Sequence, residues 1–499
     1  MASLSQGTAF STKENIELAR NGVYWQAAVG RYNPGTSLTT GRGYPFGGAS
    51  IEQAEMRAED MVNLQAFFSY TYEGGYSPST ANNVNHWEQL YALINQANVF
   101  IAGVQQAKTR NVVTEDEGNS YIGEALFLRA LAHHELLLHF CKPFVDGDGK
   151  NLGVPYRTVA IVGTAEVEVG IKQTRGTVAE TYAGILTDLD LAESYLPEKH
   201  GTRGYTISRA TKGAVIALKT RVYLHKSDYV NVIAEGIKLG TGTSTDVFTS
   251  PIAGYIVENN VEVPFTVQDN NLESIFSIAQ SAAQNGGVNG AITSMLGPSS
   301  FGARDLIATS PNLYNASFWL DEDLRKTKLQ YRQSKGNYKL VFNYKYRNYG
   351  INDNWNPILR YTEVLLNVAE AYSFVGNDKQ ALSLLNAVRN RAVPESKQFQ
   401  EPPIDLKLAI YQERRIEFTG EGKRWGDIHR LALTSYGTRG VPAKVDASQI
   451  TPKGLDNYKP GVFIDPQWPA IIYDNSRFIW PIPTSERSAN PNIVQNPGY

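Results

Sequence analysis

The sequence predicts a mainly α-helical protein: a scaffold of paired, tetratricopeptide-like helices with a loop-rich, less regular region and minor β-hairpins. Three observations predict it. Helix-capping signals recur ahead of apolar stripes of period 3.6, two segments share a helix-turn-helix grammar, and a run rich in Gly, Ser, Thr, Asn and Pro separates them. At 499 residues, 42% hydrophobic and 19% charged, the chain is long enough to bury a large core and too apolar for disorder.

Four helix starts carry capping-box spacing: Ser11 with Glu14, Ser50 with Gln53, Thr114 with Glu117, and Thr177 with Glu180. In each, two orphan backbone amides are satisfied reciprocally. The stripes behind them are Ile16, Ala19, Val23; Trp87, Tyr91, Ile94, Ile101; Ile122, Leu126, Arg129, Leu136; and Tyr182, Ile185, Leu189, Ala192. Trp87 heads its stripe and reads as core. Lys142-Pro143 and Leu196-Pro197 are expected to end two helices, because proline bars its predecessor from the helical region.

Residues 218–239 and 369–392 each run an Ala/Tyr-bearing helix into a short polar turn and back along an amphipathic helix. Such units bury their faces by stacking on neighbours. From Thr241 to about Gly302 the composition reads as long loops. In KTKLQYRQSKGNYKLVFNYKYR, Leu340, Phe342, Tyr344 and Tyr346 alternate with Lys339, Val341, Asn343 and Lys345, which predicts a β-hairpin turning at Lys335–Asn337. The proline-punctuated tail FIWPIPTSERSANPNIVQNPGY is expected to wrap over the outside of the helical body.

A net charge of -2 with interspersed signs offers no phosphate-neutralising footprint, so nucleic acid is not an expected partner. The single cysteine, Cys141, rules out an intramolecular disulfide and reads as a small buried hydrophobe. No run of eighteen apolar residues is present, and MASLSQGTAF has neither a basic n-region nor an apolar h-region. GxxxxGK[ST], GxSxG and a strand-borne GxGxxG are missing. HHELLLH spaces His134 and His139 at i+5, which swings the imidazoles apart, so His133, His134 and His139 are read as helix or core residues with no metal. No cofactor is expected.

The densest charge cluster is ERRIEFTGEGKRWGDIHR, from Glu413 to Arg430. A helix from an Asp405 cap puts Leu406, Ala409, Ile410, Glu413, Ile416 and Glu417 on one stripe. Gly420 and Gly422 then break it around Glu421, and a second helix sets Arg424 and Asp427 on one face. Acids and bases nearly balance within the motif, so Glu413, Glu417, Glu421, Arg424 and Asp427 are expected to form a partly buried structural charge network with no catalytic role.

The ordered motifs HWEQLYALINQANVFI, GEALFLRALAHHELL, LGVPYRT, RGTVAETYAGILTDLDLAESYLP, RYTEVLLNVAEAYS, ERRIEFTGEGKRWGDIHR and FIWPIPTSE with NPNIVQNPGY resemble the SusD/RagB-like family of outer-membrane nutrient-binding lipoproteins. The resemblance runs from about Thr8 to Tyr499. It implies a single unit over 1–499, with a helical scaffold at about 8–240 and 356–435, a ligand-face insertion at about 241–355 and a tail at 436–499. It also implies a non-catalytic receptor that captures an oligosaccharide or other nutrient at the cell surface. A SusC-like TonB-dependent transporter is the implied partner, and a lipid anchor on the native precursor the implied tether. The residues given carry no lipidated N-terminal cysteine, and Cys141, inside a helical run, does not replace it.

By the same resemblance, glycans stack on aromatics from 67–85 and 285–305. The candidate ligand residues are Tyr70, Tyr72, Tyr76 and Phe301, with Asn82, Asn83 and Arg304 as polar partners. Two other classes stay open at this point: a glycoside hydrolase with two unrecognised carboxylates, and a pure helical-repeat scaffold for protein partners.

Overall fold

Helix α1 (Lys13–Ala28) starts from Thr12, whose hydroxyl accepts from the N–H of Asn15. The expected cap, Ser11, bonds back to the Thr8 carbonyl, so the start falls one residue later than the spacing predicts. Helix α2 (Gly48–Met56) is capped by Gly47 without a side-chain bond, and Ser50 lies inside its first turn. Packing decides this: a Cβ on Gly47 would fall 2.4 Å from Gly43 Cα, and one on Gly48 2.6 Å from the Ile292 nitrogen. A short helix α3 (Ser69–Glu73) precedes the long helices α4 (Ala81–Thr109), α5 (Glu115–Phe140) and α6 (Val178–Tyr195). Thr114 and Thr177 close full capping boxes with Glu117 and Glu180. The chain leaves α5 and α6 in extended backbone at Cys141 and Leu196, ahead of Pro143 and Pro197. This computed structural model describes residues 6–30, 43–243 and 247–499.

Helix α5 is buried on nearly every side, which makes it the axis of the main core. Arg129 ties it to its neighbours, forking onto Asp188 of α6 at 2.7 and 2.6 Å and donating to Asn98 of α4 at 2.7 Å. Two helix pairs follow: α7 (Lys212–His225) with α8 (Tyr229–Lys238), and α9 (Tyr361–Phe374) with α10 (Asp378–Arg389). Asp228 and Asn377 cap the returning helices through the amides of Asn231 and Gln380. The pairs stack at close range, because a Cβ on Gly236 of α8 would meet Val368 of α9 at 2.3 Å.

The middle of the chain is more ordered than its composition predicts. Strands β1 (Met61–Asn63), β2 (Ser274–Ile278), β3 (Ile307–Thr309), β4 (Gln330–Arg332), β5 (Val341–Asn343) and β6 (Asn356–Arg360) pair antiparallel as β1–β3, β2–β6 and β4–β5. Inside the predicted loop run, β2 and the helical turn Ile292–Leu296 are fully buried. The part of that run at 244–246 lies outside the described residues. The β4–β5 hairpin forms with Lys335–Asn337 at its tip. Two residues of its expected polar face, Asn343 and Lys345, are also buried and pack under the charge motif, while Lys339 stays exposed.

Helices α11 (Leu406–Glu417) and α12 (Arg424–Leu431) carry that motif. The tail does not simply wrap outside. Trp480, Ile482 and Ile493 belong to the main core, Trp480 N–H donates to the His139 carbonyl, and Asn496 Nδ2 donates to the carbonyls of Phe140 and Trp480. Proline barred a long helix, but apolar side chains between the prolines still had a core to enter.

Candidate ligand face and the buried charge lattice

The glutamates of α11 lie on its inner stripe and are fully enclosed. Glu413 bonds Arg325 and, at 3.2 Å, Arg389. Glu417 bonds Arg360 at 2.8 Å, Arg391 at 2.7 Å and Arg325 at 3.1 Å. Just beyond the helix, Glu421 takes Arg360 at 2.7 Å and Lys345 at 2.6 Å. Arg360 and Arg391 also reach Glu273, so strand, hairpin and helix meet at one ionic knot. Burial opposes ionisation of Glu417, but Arg391, Arg360 and Arg325 hold its carboxyl well below the usual range.

The expectation that the motif's charges satisfy one another needs correcting. Only Arg414 and Arg430 on Asp427, each at 2.9 Å, are partners from within it. Against the cost of burial, they hold Asp427 at about 2. The others come from Arg325, Lys345, Arg360, Arg389 and Arg391, all upstream in the chain, and Arg424 reaches back to Glu59 at 2.6 Å. Balanced local charge did not predict pairing, because helical neighbours on one stripe cannot fork onto each other. Arg424→Ala should cost about 1–3 kcal/mol in urea unfolding by leaving Glu59 with Arg415 alone, and leave ligand affinity unchanged. Lost binding with unchanged melting would move the ligand site here.

The predicted ligand residues divide. Tyr72 and Tyr76 are core residues, their hydroxyls spent on the carbonyls of Val445 and Arg477, so neither ring is open to a ligand. Asn82 is buried with Nδ2 on the Phe67 carbonyl, and Asn83 is buried near Gln53. Tyrosine in a loop is amphipathic, and here the polar rim found backbone acceptors inside the fold. Tyr70, on α3, is 61% exposed, and Phe301 is 38% exposed. Arg304 donates from Nη1 to the Val288 carbonyl at 3.1 Å and Asn289 Oδ1 at 2.9 Å.

Phe301 does not stand alone. Its ring lies 4.8 Å from Tyr331, 5.6 Å from Tyr344 and 5.3 Å from Tyr349, and Tyr331 lies 5.4 Å from Tyr344. The Phe301 and Tyr349 planes differ by 21°. The three tyrosines were missed by sequence reading. Alternation placed Tyr344 on a strand, but only the β4–β5 register brings Tyr331 beside it.

A buried polar brace fixes this aromatic face. Asp305 accepts from the Ser299 amide at 2.5 Å, the Ser299 hydroxyl at 2.6 Å and Gln333 Nε2 at 2.9 Å. Gln333 Oε1 accepts from the Ser300 amide, and Ser299 Oγ accepts from the Asn337 amide. The turn bearing Phe301 is thereby bolted to the hairpin tip. Arg347 covers Tyr344 at 4.1 Å and is itself held by Glu262 at 2.7 Å. The Tyr349 hydroxyl is buried with no protein partner among the described residues.

Two other places were weighed. His86, Glu135 and His139 bring ligand-type atoms within 4.8 Å of one another. The outer shell is wrong for a metal, though: Arg57 faces His139 Nδ1 at 3.2 Å, which leaves the proton on Nε2, directed at Glu135 Oε1. A cleft of about 540 Å³ lies between α4 and residues 156–173. Its floor is occupied with itself: Asn95 brackets Ile161, Asn98 holds the carbonyls of Arg157 and Val159, and Arg157 pairs with Glu486. The aromatic face, where Phe301 is exposed and the three tyrosines are part-buried, is the better candidate ligand site.

Two family descriptions match the chain: "SusD family" over residues 273–499 and "Starch-binding associating with outer membrane" over residues 47–224. The chain belongs to the SusD family. A SusD-like protein P2 from Formosa agariphila is 26% identical over 457 residues, covering 83% of this chain and 80% of that protein. Among solved structures, a SusD superfamily protein from Bacteroides fragilis superposes with a TM-score of 0.77 at 25% identity, covering 97% of this chain and 99% of the other. A SusD-like carbohydrate binding protein from Bacteroides vulgatus has the same fold, with a TM-score of 0.71 at 20% identity over 97% of each chain. The SusD fold accounts for the helix pairs. No described helix is long and apolar enough to cross a membrane.

Proposed function

We propose that this SusD-family protein is a non-catalytic receptor at the bacterial outer membrane that binds an oligosaccharide and delivers it to a SusC-like TonB-dependent transporter. The observation that carries the reading is the braced aromatic face of Phe301, Tyr331, Tyr344 and Tyr349. Flat apolar rings with hydroxyl rims match the CH face and hydroxyl edge of a sugar. In this reading the region 241–355 meets the ligand and the helix pairs meet the transporter. A lipid-anchored precursor would be tethered by one acyl group, which gives only marginal membrane affinity, so the transporter contact adds retention.

The carboxylates of the charge motif are unsuited to glycoside hydrolysis, because they are buried and forked by arginine. The neutral reading of the aromatic rings as simple packing is tested by substitution. Phe301→Ala and Tyr344→Ala should each weaken retention in glycan-containing gels by about tenfold, the equivalent of one stacking contact, without changing the melting temperature. Wild-type retention in both variants removes the site from this face, and release of new reducing ends would make the protein an enzyme.

A further inference from the structure

From Arg325 to Arg347 the sequence holds eight lysines and arginines and no aspartate or glutamate, in a chain whose net charge is -2. Part of that excess is neutralised internally. Arg325, Lys326, Lys345 and Arg347 each pair with a carboxylate, on Glu413, Asp321, Glu421 and Glu262 respectively. Lys328 and Lys335 are exposed and enter no ion pair among the described residues. Arg304 meets only neutral acceptors, the Val288 carbonyl, Asn289 Oδ1 and the Met295 sulfur.

The segments that carry these three cations adjoin the aromatic face. The Lys328 carbonyl accepts from Arg347, the residue that covers Tyr344. Lys335 stands in the turn whose Gln333 and Asn337 bond Ser300 and Ser299, next to Phe301. Arg304 follows Phe301 by three residues. The neighbouring acids offer them little. Asp305 is spent on Ser299 and Gln333, Glu262 on Arg347, and burial pushes the Glu52 carboxyl, which senses Arg304, well up.

Solvated lysines are ordinary on any surface, but a mixed surface intersperses both signs, and no acid is interspersed over residues 325–347. We propose that the aromatic face takes an anionic glycan, one whose sugars carry carboxylate or sulfate groups. The proposal rests on the reading of that face as a glycan site. Rings bind the sugar faces, and Arg304, Lys328 and Lys335 meet the charged substituents at the rim.

The test uses affinity electrophoresis with charge-matched pairs: polygalacturonate against its methyl ester for carboxylate, and dextran sulfate against dextran for sulfate. At least one charged member should be retained about tenfold more strongly than its neutral partner, with most of the difference lost between about 50 and about 500 mM NaCl. Which pair responds identifies the charged group. The triple variant R304Q/K328Q/K335Q should lose about tenfold in affinity, whereas K379Q/K397Q, removing exposed lysines elsewhere, should lose none. Equal retention within both pairs, retention of no charged member, or wild-type affinity in the triple variant overturns the proposal. If Phe301→Ala then abolishes retention while the triple variant is silent, the face remains a glycan site for neutral sugars. If Phe301→Ala is silent on every retained glycan, the underlying site is wrong as well.

Discussion

Arg360→Ala should lower the unfolding free energy by about 3–5 kcal/mol, read as a fall in the urea midpoint at constant slope. The residue is fully buried at the N-terminal edge of α9 and touches Glu273, Glu417 and Glu421. Removing it leaves Arg391 on Glu273 and Glu417, Arg325 on Glu417 and Lys345 on Glu421, so Glu273 and Glu421 each keep a single cation. The loss comes chiefly from stranded charge. Methionine at 360 should therefore rescue little, although it fills the volume. A loss under about 1 kcal/mol would mean that water reaches the knot and that its ionic contacts contribute as surface pairs do.

Acidification should unfold the protein before the carboxylate lattice titrates. His86, His133, His134 and His429 are each held at about 3, and His139 and His225 are also strongly lowered, in every case chiefly because burial penalises the charged ring. The folded values lie below the unfolded 6.5, so the unfolded chain binds protons first. Their stabilisation is complete above pH 6.5 and is lost as pH falls toward 3. At pH 5 each of the four held at about 3 forfeits about 2 kcal/mol relative to neutrality, and His139 and His225 lose stability in the same direction. Glu52 and Glu55 act oppositely. Burial raises both, Glu55 to about 8, so Glu55 regains about 2–3 kcal/mol over the same interval if its unfolded value is ordinary, and Glu52 shifts stability the same way.

The net expectation is a loss of stability between pH 7 and pH 5, because six lowered imidazoles outnumber two raised carboxyls. Thermal melts across that range should show a steep fall in melting temperature. The arginine-held acids Glu417 and Asp427 are lowered, so their contribution is lost only below pH 4.5 and forms a separate, later step. A melting temperature that stays flat down to pH 4.5 would show that the imidazoles are hydrated in the folded state.

Local signals were legible where the physics is local. Thr114 and Thr177 capped their helices because the Glu partner three residues on was free to fold back, whereas Ser50 failed because glycines at 43, 47, 48 and 290 bring backbones too close for a side-chain cap. Helix pairs were readable from their turns. The partners of Glu413, Glu417 and Glu421 were not, since they lie up to 92 residues away in sequence. The aromatic face was half legible. Phe301 was named, but Tyr331, Tyr344 and Tyr349 join it only through strand register and the Asp305–Gln333 brace. Tyr72 and Tyr76 looked equivalent to Tyr70 by composition. A free backbone carbonyl within reach of each hydroxyl made the difference, and no sequence pattern encodes that.

The placement of Trp480 and Asn496 bears on the order in which the chain can mature during synthesis. Helix α5 is made early, yet the indole that lies against His139 and the amide that takes the Phe140 carbonyl arrive last. A ribosome that has finished α5 has therefore exposed an apolar trench whose lid is still hundreds of codons away. Until the segment around Trp480 is made, α5 lacks the cover that this indole and the Asn496 amide supply, so a chain cut upstream of Trp480 should leave that side of the core open to proteases.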